Sequence, residues 1–251
     1  MRTLIVLLIL SLAGCGNEDD SPLETYDHCF PMVEKMVSLD DCESFSPTPE
    51  SFLCDIEELG SFQLSDRSKS YMSLFCRNIG DVLEYFNDEG ETIKFTILTR
   101  RYNEECTWRN TFKKCNSDSL SSLFVYFINE NAETKIMSDD LNLELMIKSE
   151  VVLDSDNPSS GKFGEVIDIL EKTDGNNYAR IFRAISNERT LDNSLLDQTE
   201  YYSEINLGGN EYFRVLSMNI SNSNNNNYKF YIDQDNGIVS FQDYNGKLWT
   251  L

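Results

Sequence analysis

The 251-residue chain predicts a mainly β fold, an antiparallel meander forming a barrel or a two-sheet sandwich, behind a short cysteine-rich and partly helical amino-terminal segment. Three observations predict it. Apolar and polar residues alternate with a period of two over most of the sequence beyond Tyr71, Gly and Asn stand between the alternating runs, and no recurring segment of helical crossover length separates them.

Residues 1–14 read as a secretory signal. Arg2 precedes the apolar run Leu4–Leu10, and the small residues Ser11, Ala13 and Gly14 close it. The run is far shorter than the roughly 20 apolar residues that span a bilayer core. Leu12-Ala13-Gly14-Cys15 resembles the bacterial lipobox, which implies lipidation of Cys15 and cleavage just before it. Each buried CH₂ contributes about 0.8 kcal/mol, so several acyl chains hold such a protein on a membrane effectively permanently. Residues 15–25 then form a tether that is acidic at Glu18, Asp19 and Asp20. The expected placement is the cell outer membrane, lipid-anchored, with the domain facing either outward or into the periplasm.

Residues 26–65 carry three of the cysteines, Cys29, Cys42 and Cys54, and three prolines, Pro31, Pro47 and Pro49, after Pro22 in the tether. Short helices fit Met32–Leu39 and Pro49–Leu59, the latter with Phe52, Leu53 and Ile56 on its apolar side. Apart from Cys15, six cysteines remain: Cys29, Cys42, Cys54, Cys76, Cys106 and Cys115. An even set in an exported chain is what a disulfide framework requires, and six allow 15 pairings. Cys106 and Cys115 are the favoured local pair, closing the neck of a loop over Thr107–Lys114, which leaves Cys29, Cys42, Cys54 and Cys76 to pair among themselves. Without a Cys-x-x-Cys pair, and with His28 as the one histidine, these cysteines do not read as a zinc site, and no cofactor is expected.

Residues 66–251 hold the β domain. Ile93, Phe95 and Ile97 alternate with polar neighbours, as do Leu141, Leu143, Leu145 and Ile147; further runs are Leu123–Ile128, Val166–Leu170, Tyr178–Ile185, Glu200–Leu207, Glu211–Ile220, Tyr228–Ile232, Ile238–Gln242 and Lys247–Leu251. Hairpin turns are expected at Asn87–Gly90, Leu207–Asn210, Asp235–Gly237 and Tyr244–Gly246, where Gly or Asn can take positive φ. Asp154–Gly161 and the asparagine-rich Ser221–Asn227 read as extended loops.

Two stretches resemble a family of uncharacterised lipoproteins common in Bacteroidota: Asn78-Ile79-Gly80-Asp81-Val82-Leu83-Glu84-Tyr85-Phe86 leading into Ile93-Lys94-Phe95, and Asp235-Asn236-Gly237-Ile238-Val239-Ser240-Phe241 followed by Asn245-Gly246-Lys247-Leu248-Trp249. The resemblance implies an envelope lipoprotein and brings no activity, ligand or catalytic residue with it.

Composition narrows the function. With 43 acidic against 21 basic residues the formal net charge is −22, which disfavours nucleic acid and anionic lipid headgroups as partners. A Ser-His-Asp or Cys-His hydrolase would depend on His28 alone, and no Gly-x-Ser-x-Gly elbow occurs. A carboxylate pair for glycoside hydrolysis is always available among 43 acids, so no one pair is informative. Asp233, Asp235 and Asn236 before Gly237 suggest a calcium loop one position short of register, and a type I′ hairpin turn accounts for the same letters. Asp118-Ser119-Leu120 fits a three-residue O-glycosylation pattern. The expectation is a non-enzymatic surface lipoprotein that binds an envelope or extracellular partner. A periplasm-facing carrier of an apolar ligand in the barrel is the alternative, and a carboxylate-dependent glycoside hydrolase the third reading.

Overall fold

The structure is a computed structural model and describes residues 30, 42, 53–114, 120–153, 163–173, 175, 177–187, 199–218 and 229–251. The signal segment 1–14, Cys15, the tether, His28, Cys29, the helix expected at Met32–Leu39, Cys115, most of the Asp118–Leu120 pattern and the loops Asp154–Gly161 and Ser221–Asn227 lie outside the described residues.

Twelve strands are described: β1 (Leu53–Phe62), β2 (Val82–Phe86), β3 (Thr92–Lys114), β4 (Leu120–Ser138), β5 (Leu143–Leu153), β6 (Phe163–Lys172), β7 (Tyr178–Asn187), β8 (Thr199–Leu207), β9 (Asn210–Met218), β10 (Lys229–Asp233), β11 (Gly237–Gln242) and β12 (Leu248–Thr250). Between β1 and β2 stand α1 (Asp66–Ser70) and a 3₁₀ turn, Ser73–Cys76. Eleven strands run antiparallel in the order β7-β6-β5-β4-β3-β2-β12-β11-β10-β9-β8. Sequence neighbours are therefore sheet neighbours, apart from the β2–β12 contact that joins the two halves at Thr250↔Phe86. The sheet curls until its ends meet, giving a nearly closed barrel rather than a sandwich. At the seam the Ile185 N–H donates to Thr199 Oγ1 (3.0 Å), and the Phe182 and Phe230 rings lie edge to face with centroids 5.9 Å apart.

β1 corrects the helix expected over Pro49–Leu59. It lies parallel to β4, from Leu53↔Ser122 to Phe62↔Asn129, on the side of β4 that β5 occupies only from Asn131 onward. A helix of about ten residues is marginal in water. The open edge of β4 offers the same backbone a full set of hydrogen-bond partners instead.

The longest strands were also the least legible. β3 and β4 pair from Thr96↔Met137 to Lys114↔Leu120, and their far half forms an arm beyond the last β2 partner, Thr96. Along Arg100-Arg101-Tyr102-Asn103-Glu104-Glu105 the alternation is hidden, because only Tyr102 turns into the core. The arm also overturns the local disulfide. Cys106 stands mid-strand, and the eight further strand residues to Lys114 carry the chain about 26 Å away at about 3.3 Å each, against a Cα separation below about 7 Å for a bridge. Cys106 is bonded to Cys42 instead, with Cα atoms 5.3 Å apart. Cys42 packs there with Ile128 and the stacked Trp108–Tyr126 pair, whose centroids are 4.9 Å apart.

The barrel interior is filled by its own side chains. Tyr85, Phe95, Phe182, Phe230, Leu83, Ile97 and Ile136 line it from the walls, and Tyr71, Met72, Leu74 and Phe75 enter it from the segment around the 3₁₀ turn. That segment reaches from β6 and β7, against which α1 packs, across to β4 and β11, which the 3₁₀ turn touches. Full burial of a large apolar side chain contributes about 1.5–3 kcal/mol, so these four contribute on the order of 6–12 kcal/mol to holding the plug in place. The fit is tight: a Cβ on Gly237 would sit 2.8 Å from Leu74 Cγ.

The outer wall is charged. In register across five strands run Arg101↔Glu133, Glu133↔Lys148, Lys148↔Asp168 and Asp168↔Arg183, an alternating row of signs. Its strongest link is a two-pronged pair, Arg183 Nε to Asp168 Oδ1 (2.6 Å) and Arg183 Nη2 to Asp168 Oδ2 (2.5 Å). Opposite charges facing across strands contribute about 0.2–1 kcal/mol per pair.

Candidate binding groove

Two carboxylates are buried beneath the plug. Glu130 accepts from the Leu64 N–H (2.5 Å) and from the Tyr102 hydroxyl, with Lys69 Nζ at 4.0 Å and above the Tyr102 ring. Burial pushes the Glu130 carboxyl above the usual carboxylate range, against the pull of Lys69 and the Leu64 N–H. Glu165 accepts from both the N–H (3.0 Å) and the hydroxyl (2.6 Å) of Ser65, the residue whose hydroxyl also caps α1 at Ser68 N. Next to it the hydroxyls of Ser68 and Ser186 share a hydrogen bond of 2.6 Å. These groups latch α1 to the barrel, through both Glu130 oxygens and through Glu165 Oε2.

The expected calcium letters are likewise engaged. Asp233 accepts from Asn236 N (2.5 Å) and Asn236 Nδ2 (3.0 Å), and Asp235 lies 3.6 Å from the Arg214 guanidinium. Only Gly237 takes positive φ (78°), so the turn is a three-residue loop ending on a left-handed glycine and not the type I′ form. The type I′ form appears at Gly208 and Gly209, with φ of 60° and 90°. Among the described residues no group of three or more His, Cys, Asp or Glu is placed to hold a metal ion. Of the remaining cysteines, Cys54 contributes backbone to β1, and Cys76 is disulfide-bonded at the end of the 3₁₀ turn.

The feature that sequence reasoning missed lies where three hairpin turns converge outside the barrel. The β2–β3 and β11–β12 turns are built alike. Asn87 N donates to Glu91 O and Gly90 N to Asn87 O; Asp243 N donates to Lys247 O and Gly246 N to Asp243 O. In each, the opening side chain caps the turn: Asn87 Oδ1 accepts from Glu89 N and Glu91 N, and Asp243 Oδ1 from Asn245 N and Lys247 N. The β2–β12 contact sets these turns side by side, and Lys247 Nζ clamps them, 2.6 Å from both Glu89 Oε2 and Glu91 Oε2. Hydrogen bonds to those carboxylates hold Lys247 above its usual range, and the one from Lys247 leads in holding Glu91 below its own.

The third turn arrives because β9 bends. Ser217 and Leu216 pair with β10, whereas the segment before Arg214 has no β10 partner, and Arg214 takes the left-handed conformation (φ 54°) at the change. Such a residue costs on the order of 1–3 kcal/mol unless its surroundings fix it. Here a second apolar cluster fixes it: Leu207, Tyr212 and Val215 pack on Val239, flanked by Tyr231. Phe230, Ile232 and Ile238 face the interior, so their neighbours Tyr231 and Val239 face outward, and the β8–β9 tip folds over the outside of β10–β11. The tip is pinned by Tyr212 Oη donating to Leu251 O (3.1 Å), and Gly208 lies so close to Thr250 that a Cβ would meet its Oγ1 at 2.7 Å.

Between the folded tip and the paired turns runs a groove of about 740 Å³, lined among others by Phe86, Asp88, Glu89, Asn245, Lys247 and Leu248. Phe86 stands 48% exposed there, Tyr244 in the adjoining turn 63%, and Phe213 on the folded hairpin 51%. Among the described residues six large apolar side chains are about this exposed, and of these Phe86 lines the groove. Comparison with protein-family models, with curated proteins and with solved structures finds no match to this chain.

Proposed function

We propose that the chain is a lipid-anchored envelope protein, held at the outer membrane through Cys15, whose barrel acts as a non-enzymatic binding module through the groove on its outer side. The observation that carries this reading is the division of labour in the wall: the interior is filled by packed side chains, and the groove, with the exposed ring of Phe86, lies outside it. The filled interior weighs against the carrier, since a guest would first have to displace Tyr71, Met72, Leu74 and Phe75. The buried carboxylates Glu130 and Glu165 serve the plug and do not open onto the groove, which weighs against the glycosidase.

The charged row on the outer wall supports a barrel that stands in water beside the membrane. A lysine or arginine facing lipid at mid-bilayer costs about 2–4 kcal/mol, and β3, β5 and β7 each present one in register. Among the described residues no helix is long and apolar enough to cross a membrane. The acidic tether and the likeness to Bacteroidota lipoproteins agree with attachment by lipid alone. Detergent phase partition of the full chain tests the anchor: the protein should enter the detergent phase, and Cys15→Ser should move it to the aqueous phase. Unchanged partition of the variant would refute the anchor, and protease treatment of intact cells reads which way the barrel faces.

A further inference from the structure

We propose that the groove between the β8–β9 tip and the two clamped turns binds a neutral oligosaccharide. The proposal rests on the binding-module reading and names the ligand class of that site. Its volume of about 740 Å³ lies within the range of about 300–1,000 Å³ in which proteins enclose small ligands.

Three features select the ligand. First, Phe86 offers an exposed ring with Leu248 beside it, and the negative face of an aromatic ring attracts the weakly positive C–H groups on the flat side of a pyranose. Second, the rim supplies directional polar groups. The Asn245 amide and the Asp88 carboxylate line the groove and have no side-chain hydrogen-bond partner among the described residues. An amide both donates and accepts and a carboxylate accepts, which matches hydroxyl groups that do both. Third, the charge selects against anions. Lys247 is the one cation in the lining and is already bound to Glu89 and Glu91, with Asp88 adjacent, in a chain of net charge −22. A sulfated or phosphorylated ligand would meet repulsion here.

The competing occupants fit less well. A peptide added as an extra strand needs a free sheet edge, whereas this groove is lined by the capped turns and by β12, which is already paired with β11. A cationic amine would be drawn by Asp88, but an aromatic cage needs several rings around the charge and the groove lining holds one, Phe86. The turns are also fixed before binding by their caps and by the Lys247 clamp, so little ordering cost falls on association.

The test uses the detergent-solubilised full-length protein on an array of neutral gluco-, manno-, galacto- and N-acetylglucosamine oligosaccharides, with heparin oligosaccharides and spermidine on the same array, followed by titration calorimetry of the strongest neutral binder. At least one neutral class should be retained and heparin should not. Phe86→Ala should weaken binding at least tenfold, about 1.4 kcal/mol. Val82→Ala, on the same exposed face of β2 but outside the groove, should leave it unchanged. Silence across the neutral oligosaccharides, or binding that survives both Phe86→Ala and Asn245→Ala, overturns the proposal. Retention of spermidine alone overturns the sugar assignment and leaves the binding module standing. Hydrolysis of the retained oligosaccharide would instead overturn the non-enzymatic reading while keeping the sugar in the groove.

Discussion

Replacing Glu130 by alanine tests the plug where its polar support is concentrated. The substitution leaves the Leu64 N–H and the Tyr102 hydroxyl without their acceptor and Lys69 without its nearest carboxylate, all beneath α1. A hydrogen bond to a charged group is worth about 1.5–3 kcal/mol, and breaking a buried ion pair by removing one partner costs about 3–5 kcal/mol. Lys69 keeps its place over the Phe30 and Tyr102 rings, so a total of about 3–4 kcal/mol is expected. Urea unfolding reads it: with a slope of about 3 kcal/mol per molar, the midpoint should fall by roughly 1 M. Glu130→Gln separates charge from contact. Because burial raises the Glu130 pKa, the protonated form favours the folded barrel; that contribution is present below the ordinary value of 4.5 and is lost as pH rises through the raised value. The glutamine variant should therefore lose less stability than the parent as pH climbs above 4.5. A midpoint unmoved by Glu130→Ala, or pH profiles that coincide, would refute the latch.

Three other perturbations probe separate parts of the barrel. Opening the Cys42–Cys106 bridge with Cys106→Ser frees a loop of 64 residues and should cost about 4 kcal/mol by chain entropy, and non-reducing peptide mapping should find Cys106 joined to Cys42; a Cys106–Cys115 peptide would contradict the arm. Gly208→Ala should lower the melting temperature more than Gly209→Ala, since both glycines hold positive φ but only the first would press a Cβ on Thr250; equal losses would mean that the β8–β9 tip does not fold against β12. A double-mutant cycle on Asp168→Asn and Arg183→Met should return a coupling of about 1–3 kcal/mol, because Asp168 is only 2% exposed and the pair is two-pronged; a coupling below about 0.3 kcal/mol would refute the row as a stabilising feature.

What the sequence disclosed depended on how much of each element's environment was local. Ile93, Phe95 and Ile97, or Leu143, Leu145 and Ile147, alternate because one face meets the core and the other meets water, so the near end of β3 and most of β5 are legible in the local pattern. β1 escaped notice because its reason for being a strand is the vacant edge of β4 near Ser122–Asn129, which no local pattern records. The arm escaped for the opposite reason, since strand pairing rather than core burial sustains Asn103–Lys114. The turns at Asn87–Gly90, Leu207–Asn210 and Tyr244–Gly246 were each visible, yet the groove they form was not. Their convergence requires the Thr250↔Phe86 contact between the last strand and the second, and a left-handed arginine at position 214, a residue type that gives no signal for a bend. That same contact makes neighbours of the Asn78–Phe86 stretch and the terminal β11–β12 hairpin.

Hydrogen exchange of the full chain, followed by mass spectrometry, tests the central claim that the barrel interior is closed by its own segment and that binding takes place outside it. Peptides covering Tyr71–Phe75 should be protected as long as those from β11, whose Gly237 and Ile238 they pack against, and an added long-chain fatty acid should leave their rates unchanged. Exchange of Tyr71–Phe75 within seconds while β11 stays protected, or a rate altered by the fatty acid, would show a lumen that opens and would contradict the account.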